Sequence, residues 1–211
     1  MLVGMINIIT EYLAMGLLVF SILCLFYFTL YYFVYKKLLQ GKRNFNLKKV
    51  LIITFFVVYI FLVLGATMLN RYIYMQGGIN LELFSSYRKA IFGFSTFAWR
   101  DITLNIIMFI PLGILLPLLN KVFFKPYYTL LLSFCFTLNI EIVQLITKIG
   151  AFDLDDIFNN FLGATIGYCM VMVIISATSD SKHKKRNIAI YTVPLLIIAV
   201  VFSGFLFGNI I

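Results

Sequence analysis

The feature that most limits how this chain can fold is a repeated one: apolar blocks about twenty residues long, broken only by short polar connections. At a rise of 1.5 Å per residue, a helix of that length spans a hydrocarbon core of about 30 Å. Six such blocks can be drawn, at about 12–35, 50–69, 102–120, 127–147, 157–177 and 188–208. Composition points the same way. Charged residues make up 12% of the chain and hydrophobic residues 63%, whereas a soluble domain carries about 25% charge to cover its surface. The blocks have no Pro/Gly/Ser-rich linker between them. The expected fold is therefore all-α: a polytopic membrane helical bundle of about six transmembrane helices, with the lipid bilayer as its first partner. By sequence it divides into residues 1–49 (first helix and a basic loop), 50–177 (a central membrane domain) and 178–211 (a basic loop and the last helix). Met1 to Thr10 holds no Lys or Arg and no small-residue cleavage site follows, so the first block is expected to be retained and not removed as a signal peptide.

The net charge is +9, but its placement argues against nucleic acid. The connection from Lys36 to Lys49 holds six basic residues and no acid, Lys121 and Lys125 sit in the third connection, and Lys182, Lys184, Lys185 and Arg186 in the fifth. Together these hold 12 of the 17 basic residues. The positive-inside rule then puts the odd connections in the cytoplasm and both termini outside. The acids have the opposite bias: Glu11, Glu82, Asp101, Asp153, Asp155 and Asp156 map to the outer side, and only Asp180 to the inner. Cys24, Cys135 and Cys169 each fall inside an apolar block without C-x-x-C spacing, which reads as core packing and not as a disulfide or zinc frame.

The second connection, about residues 70–101, is the longest. Phe84, Tyr87, Ile91, Phe94 and Ala98 recur at spacings of three and four, so the segment is expected to form an interfacial amphipathic helix with Trp99 as its anchor, or else a re-entrant hairpin.

Ionisable groups within spans are costly, at about 2.5–3.5 kcal/mol on insertion scales, and so mark candidate sites. Glu141 is one. With Gln144 and Lys148 it shares a helical face by i, i+3, i+7 spacing, and that face should point into the bundle. The fifth block opens Phe152-Asp153-Leu154-Asp155-Asp156, with Asn160 one turn deeper. Aspartates there suit a helix N-terminus, and Asp153 with Asp156 has capping-box spacing. Gly163 and Gly167 read as close helix packing. In the third block Asn105 lies near the outer end, followed by Pro111, Gly113 and Pro117, and Pro111 is expected to kink the helix. Asn105, Glu141, Asp156 and Asn160 thus come from three spans at similar depth.

These residues carry a family resemblance. Asn80-Leu81-Glu82-Leu83-Phe84, Asn105 to Gly113 with Pro117, Glu141-Ile142-Val143-Gln144, and Asp153 to Asp156 with Asn160, Gly163 and Gly167 together resemble the VanZ-like family of small bacterial membrane proteins, over about residues 50–176. Two positions depart from the family pattern: Glu82 stands where Pro is frequent, and Ile149-Gly150-Ala151 stands where many members have Arg. Lys148 or Arg100 is then the available counter-ion. The resemblance implies a multi-pass protein of the Gram-positive plasma membrane, acting at the cell envelope and associated with resistance to glycopeptides, teicoplanin in particular.

Three mechanisms remain open at this point. One is binding or remodelling of a lipid-linked cell-wall precursor or a lipoglycopeptide at the outer leaflet. The second is an intramembrane carboxylate-dependent hydrolase, and the third an ion-coupled transporter. Binding is the favoured reading. The one histidine, His183, lies in a connection expected in the cytoplasm, and Gly93-Phe94-Ser95-Thr96-Phe97 fails the G-x-S-x-G pattern at its last position. The Asp run lacks the Gly and terminal Glu of an EF-hand. No cofactor or metal is expected.

Overall fold

The structure, a computed structural model, describes residues 21–22, 25–26, 28–29, 31–33, 37, 47–69, 78–179 and 182–207. The expected first span and Cys24 lie largely outside them. The chain groups into two compact units, residues 1–70 and 71–211. In the first, α1 (Leu47–Leu64) continues into a π-helical turn, Gly65–Leu69. The hydroxyls of Thr54 and Thr67 donate to the carbonyls of Val50 and Val63, at 2.9 and 2.8 Å. A polar side chain in lipid is satisfied within its own helix in this way.

The second unit contains the short α2 (Ser85–Ile91) and four long helices: α3 (Thr96–Leu119), α4 (Pro126–Thr147), α5 (Leu154–Ala177) and α6 (Lys184–Phe207). A two-stranded parallel ladder of β1 (Ile79–Asn80) and β2 (Phe152–Asp153) pairs Ile79 with Phe152 and Asn80 with Asp153. Among the described residues five helices are long and apolar enough to cross a membrane, with spans Leu47–Met68, Thr96–Leu119, Pro126–Thr147, Leu154–Ala177 and Lys184–Ser203. They answer to the last five of the six expected blocks, and the protein is an all-α membrane bundle.

The local chemistry accounts for the helix ends. The Ser95 hydroxyl accepts from the Ala98 amide at 3.2 Å and caps α3 six residues before the expected start. Phe97, Trp99, Arg100 and Asp101 therefore ride on the first turns of a span and not on a loop. α4 begins with Pro126 at its first turn, where the missing N–H is harmless, and ends at Lys148 in the left-handed region (φ 58°). α3 runs as one helix through Pro111 and Pro117.

The expected single interfacial helix over Phe84 to Ala98 is corrected. The periodic residues split between α2 and the start of α3, with Phe92 and Phe94 exposed at 78% and 80% on the turn between. Phe94 takes φ 48°, which ends any continuous helical face there. Trp99 packs edge-on against Phe202 of α6, at 6.1 Å between ring centroids, and so is only in part a free interfacial anchor. Of the two described cysteines, Cys169 is buried as expected, whereas Cys135 is exposed on α4.

The α3–α5 pair is the most extensive helix contact in this unit, and glycine makes it. A Cβ on Gly163 would run into the Ile106 carbonyl oxygen, one on Gly167 into that of Ile110, and one on Gly113 into that of Ala164. In lipid, helices gain little from hydrophobic burial and associate through such close backbone approach.

Candidate functional site

The polar residues gather where α5 begins. Asp153 is the N-cap of α5: its Oδ1 accepts from the Asp155 amide at 2.8 Å, and its Oδ2 accepts from Asn80 Nδ2 at 3.1 Å. The capping box expected with Asp156 does not close. Instead the Asp153 amide donates to Oε2 of Glu141, on α4, at 3.1 Å. Asp156 turns toward α3, where its Oδ1 accepts from Asn105 Nδ2 at 2.5 Å.

Asp155, fully buried, caps a different helix altogether. Its Oδ1 accepts from the Phe84 amide at 2.5 Å, and its Oδ2 from the Ser86 amide at 2.7 Å and the Ser85 hydroxyl at 3.2 Å. Phe84, the N-cap of α2, sits at φ 67° and its side chain offers no acceptor. The carboxylate 71 residues on supplies the charge that a helix N-terminus favours. Asn80 bridges the arrangement, donating also to the Ser85 hydroxyl at 2.8 Å, while Phe152 donates to the Gly78 carbonyl at 2.9 Å. The Asp run is thus a latch: Asp153 and Asp155 fasten residues 78–91 onto the end of α5.

Beneath the latch lies a buried polar layer. Glu141 and Gln144 are both nearly inaccessible, as their shared face implied. Lys148, third on that face, is exposed beyond the helix, and the described ion pairs are Arg88 with Glu82 and Arg100 with Asp101. Neither Lys148 nor Arg100 therefore pairs with the buried carboxylates. Asn160 donates to the Thr137 hydroxyl on α4 at 2.8 Å. Tyr87 donates to Asn159 Oδ1 at 2.6 Å. Asn159 Nδ2 and Asn160 Oδ1 are buried and find no hydrogen-bond partner among the described residues. Among those residues no three His, Cys, Asp or Glu side chains group closely enough to hold a metal ion.

Three members of this layer went unread in the sequence. Thr137 belongs to a run, Thr129, Ser133, Thr137 and Glu141, at strict i+4 spacing, and all four are buried. That spacing was a legible signal for one polar face on α4. Asn159 and Tyr87 had weaker signals, because each lies beside a residue with a more obvious role.

Burial, and after it the nearby Asp155 carboxylate, push the Tyr87 phenol up to about 12. Folding thus favours its neutral form. The resulting stability is fully present below pH 10, the ordinary value, and is lost as pH rises toward 12. Tyr87→Phe should be less stable than the parent by about 1 kcal/mol at neutral pH, the net worth of one hydrogen bond. That gap should narrow between pH 10 and 12 in denaturant titrations; a constant gap would place the phenol outside this network.

A family model described as VanZ/LLP1 matches residues 18–176. The chain belongs to the VanZ/LLP1 family. Protein VanZ of Enterococcus faecium is 28% identical to it over 131 residues, which cover 62% of this chain and 73% of that protein. No solved structure matches. The VanZ/LLP1 match takes in the latch, the polar layer and the glycine contacts of α5, and stops before α6.

Proposed function

We propose that this VanZ/LLP1 protein works at the cell envelope by binding a lipid-linked envelope component, or the lipid-bearing part of a glycopeptide, at the outer leaflet. The observation that carries this reading is the pair of buried amide atoms, Asn159 Nδ2 and Asn160 Oδ1, which have no hydrogen-bond partner among the described residues and lie on α5 one turn from Asp156, the partner of Asn105. Buried polar groups are nearly always satisfied, and orphans at one level of a bundle suit a polar ligand. Carboxylates and amides from α3, α4 and α5 surround that level, and the basic-loop count puts this end of the bundle outside. The resemblance to VanZ proteins makes teicoplanin tolerance the phenotype to measure.

Glu141→Gln and Asp156→Asn each keep an oxygen for the donor they now serve, Asp153 N–H and Asn105 Nδ2, and remove only charge. Both should therefore reach the membrane at parental abundance. Expressed in a strain lacking the gene, they should lose most of the teicoplanin tolerance that the parent restores, by roughly tenfold in inhibitory concentration for about 1.4 kcal/mol of lost binding. Full tolerance in both variants at equal abundance would overturn the reading.

A further inference from the structure

The turn between α2 and α3 carries the two most exposed large apolar side chains among the described residues, Phe92 and Phe94. Phe97, on the first turn of α3, is exposed as well. The turn is tightly built. The Phe92 amide donates to the Arg88 carbonyl at 2.9 Å, and the Ser95 amide to that of Lys89 at 3.3 Å. A Cβ on Gly93 would come within 2.7 Å of the Lys89 carbonyl oxygen, so the chain passes too close there for any other residue. Two phenyl rings are thus held away from the protein by an ordered backbone, and apolar surface presented in this way marks a contact with something else.

Depth identifies that partner. The span Thr96–Leu119 is centred between Ile107 and Met108. Half of a hydrocarbon core is about 15 Å, or about ten residues of helix, so the outer boundary falls near Phe97 and Ala98. α5 gives the same level: its span Leu154–Ala177 is centred between Thr165 and Ile166, which puts the boundary near Asp155. Gly163 lies against Ile106 and Gly167 against Ile110, and about eight residues further out Asp155 comes level with Ala98. Arg100 agrees with both. Its guanidinium turns back over the Phe97 ring, 5.3 Å from the centroid, and pairs with Asp101, as a long cationic side chain does at the edge of the hydrocarbon.

The Phe92–Phe94 turn lies just beyond that boundary, and two constraints bracket it. Non-helical backbone facing lipid is excluded from the hydrocarbon, where its N–H and C=O groups would go unmet. Phenyl rings this exposed are unfavourable in water. The glycerol layer and the first acyl carbons satisfy both, and aromatic side chains concentrate there. We propose that this turn is an anchor in the outer leaflet, with the Phe92 and Phe94 rings set among the glycerol and upper acyl groups of phospholipid. The anchor holds one end of α2 and the Asp155 cap the other, so the latch is fastened to lipid as well as to the bundle. This contact is separate from the polar layer and does not rest on the function proposed above.

The chain has one tryptophan, Trp99, so Trp99→Phe gives a silent background that keeps a ring against Phe202. Added to it, Phe92→Trp and Phe94→Trp report from the turn. Val193→Trp reports from an exposed position at the middle of the α6 span, and Lys182→Trp from a connection between spans. Each full-length variant is placed in phosphatidylcholine nanodiscs brominated near the glycerol end or near the methyl end of the acyl chains, and is then titrated with iodide. Both turn reporters should be quenched about twofold more by the shallow bromines than by the deep ones, with the reverse for Val193→Trp. Iodide should quench the turn reporters about fivefold less than Lys182→Trp. Turn reporters as open to iodide as Lys182→Trp would put the rings in water. Reporters shielded from bromine and iodide alike would put them under protein, whether residues 1–46 or a second copy. Either result, or strongest quenching by the deep bromines, would overturn the proposal. Drug tolerance is not measured, so a failure here leaves the polar-layer reading standing.

Discussion

Asp155→Ala should free residues 78–91 from the bundle while α3 to α6 remain helical. The carboxylate is fully buried and takes three donors, the Phe84 and Ser86 amides and the Ser85 hydroxyl. Each bond to a charged acceptor is worth about 1.5–3 kcal/mol, and the three are not additive because they share one group. A net loss of roughly 3 kcal/mol is the conservative figure for breaking a buried, hydrogen-bonded charge. Hydrogen exchange at the Phe84 and Ser86 amides should then accelerate about 100-fold, at tenfold per 1.4 kcal/mol. Asp153→Ala is the milder comparison. It removes an ordinary N-cap and the bond from Asn80, a loss of about 1–2 kcal/mol, and leaves the Phe84 and Ser86 amides capped. Equal exchange rates in the Asp155→Ala and parent proteins would show that the latch is held elsewhere.

Gly167→Ala is the second large effect, and two principles disagree about its sign. Helix propensity favours Ala over Gly by about 1 kcal/mol in a helix interior. Against this, the new Cβ meets the backbone carbonyl of Ile110, which no rotamer change can move aside. Overpacking usually costs about 1–3 kcal/mol, and a clash against main chain belongs at the upper end, so the steric term wins and α3 must separate from α5. We expect a net loss of roughly 2 kcal/mol in thermal or denaturant unfolding of the detergent-solubilised protein. Gly163→Ala should behave alike, since its Cβ meets Ile106. Gly78→Ala should be close to neutral, because there the added carbon reaches only ordinary contact with Ala151 at 3.9 Å. If Gly167→Ala proves more stable than the parent, the helices are not held at backbone contact.

What the sequence disclosed depended on the range of the interaction. Block length alone located α1 and α3 to α6, because the bilayer imposes it on each helix separately. The Gly163/Gly167 spacing announced a close contact for the same local reason. Asp156 was harder. Its spacing from Asp153 satisfied a local rule, but Asn105 on α3 offered a better donor, and nothing within a few residues of Asp156 records that competition. Asp155 shows the limit most clearly: capping was the right chemistry, but the helix it caps lies 71 residues away. The reading of one continuous helix from Phe84 to Ala98 failed at Phe94, whose positive φ no apolar periodicity can reveal. Glu141 was correctly expected to be buried, and its Oε2 accepts from the amide of Asp153, a contact that helix-face spacing does not reveal.

The long reach of Asp155 also sets an order of events during synthesis. At roughly 5–20 residues per second, the ribosome adds the 71 residues between Phe84 and Asp155 in about 4–14 s. Throughout that interval the first turn of α2 lacks its carboxylate cap, since the Phe84 side chain supplies none. Residues 78–91 must therefore wait at the membrane surface, through the insertion of α3 and α4, until α5 arrives to receive them. A nascent chain arrested before Leu154 would hold α3 and α4 but leave this segment open to protease, and a chain long enough to insert α5 would close it.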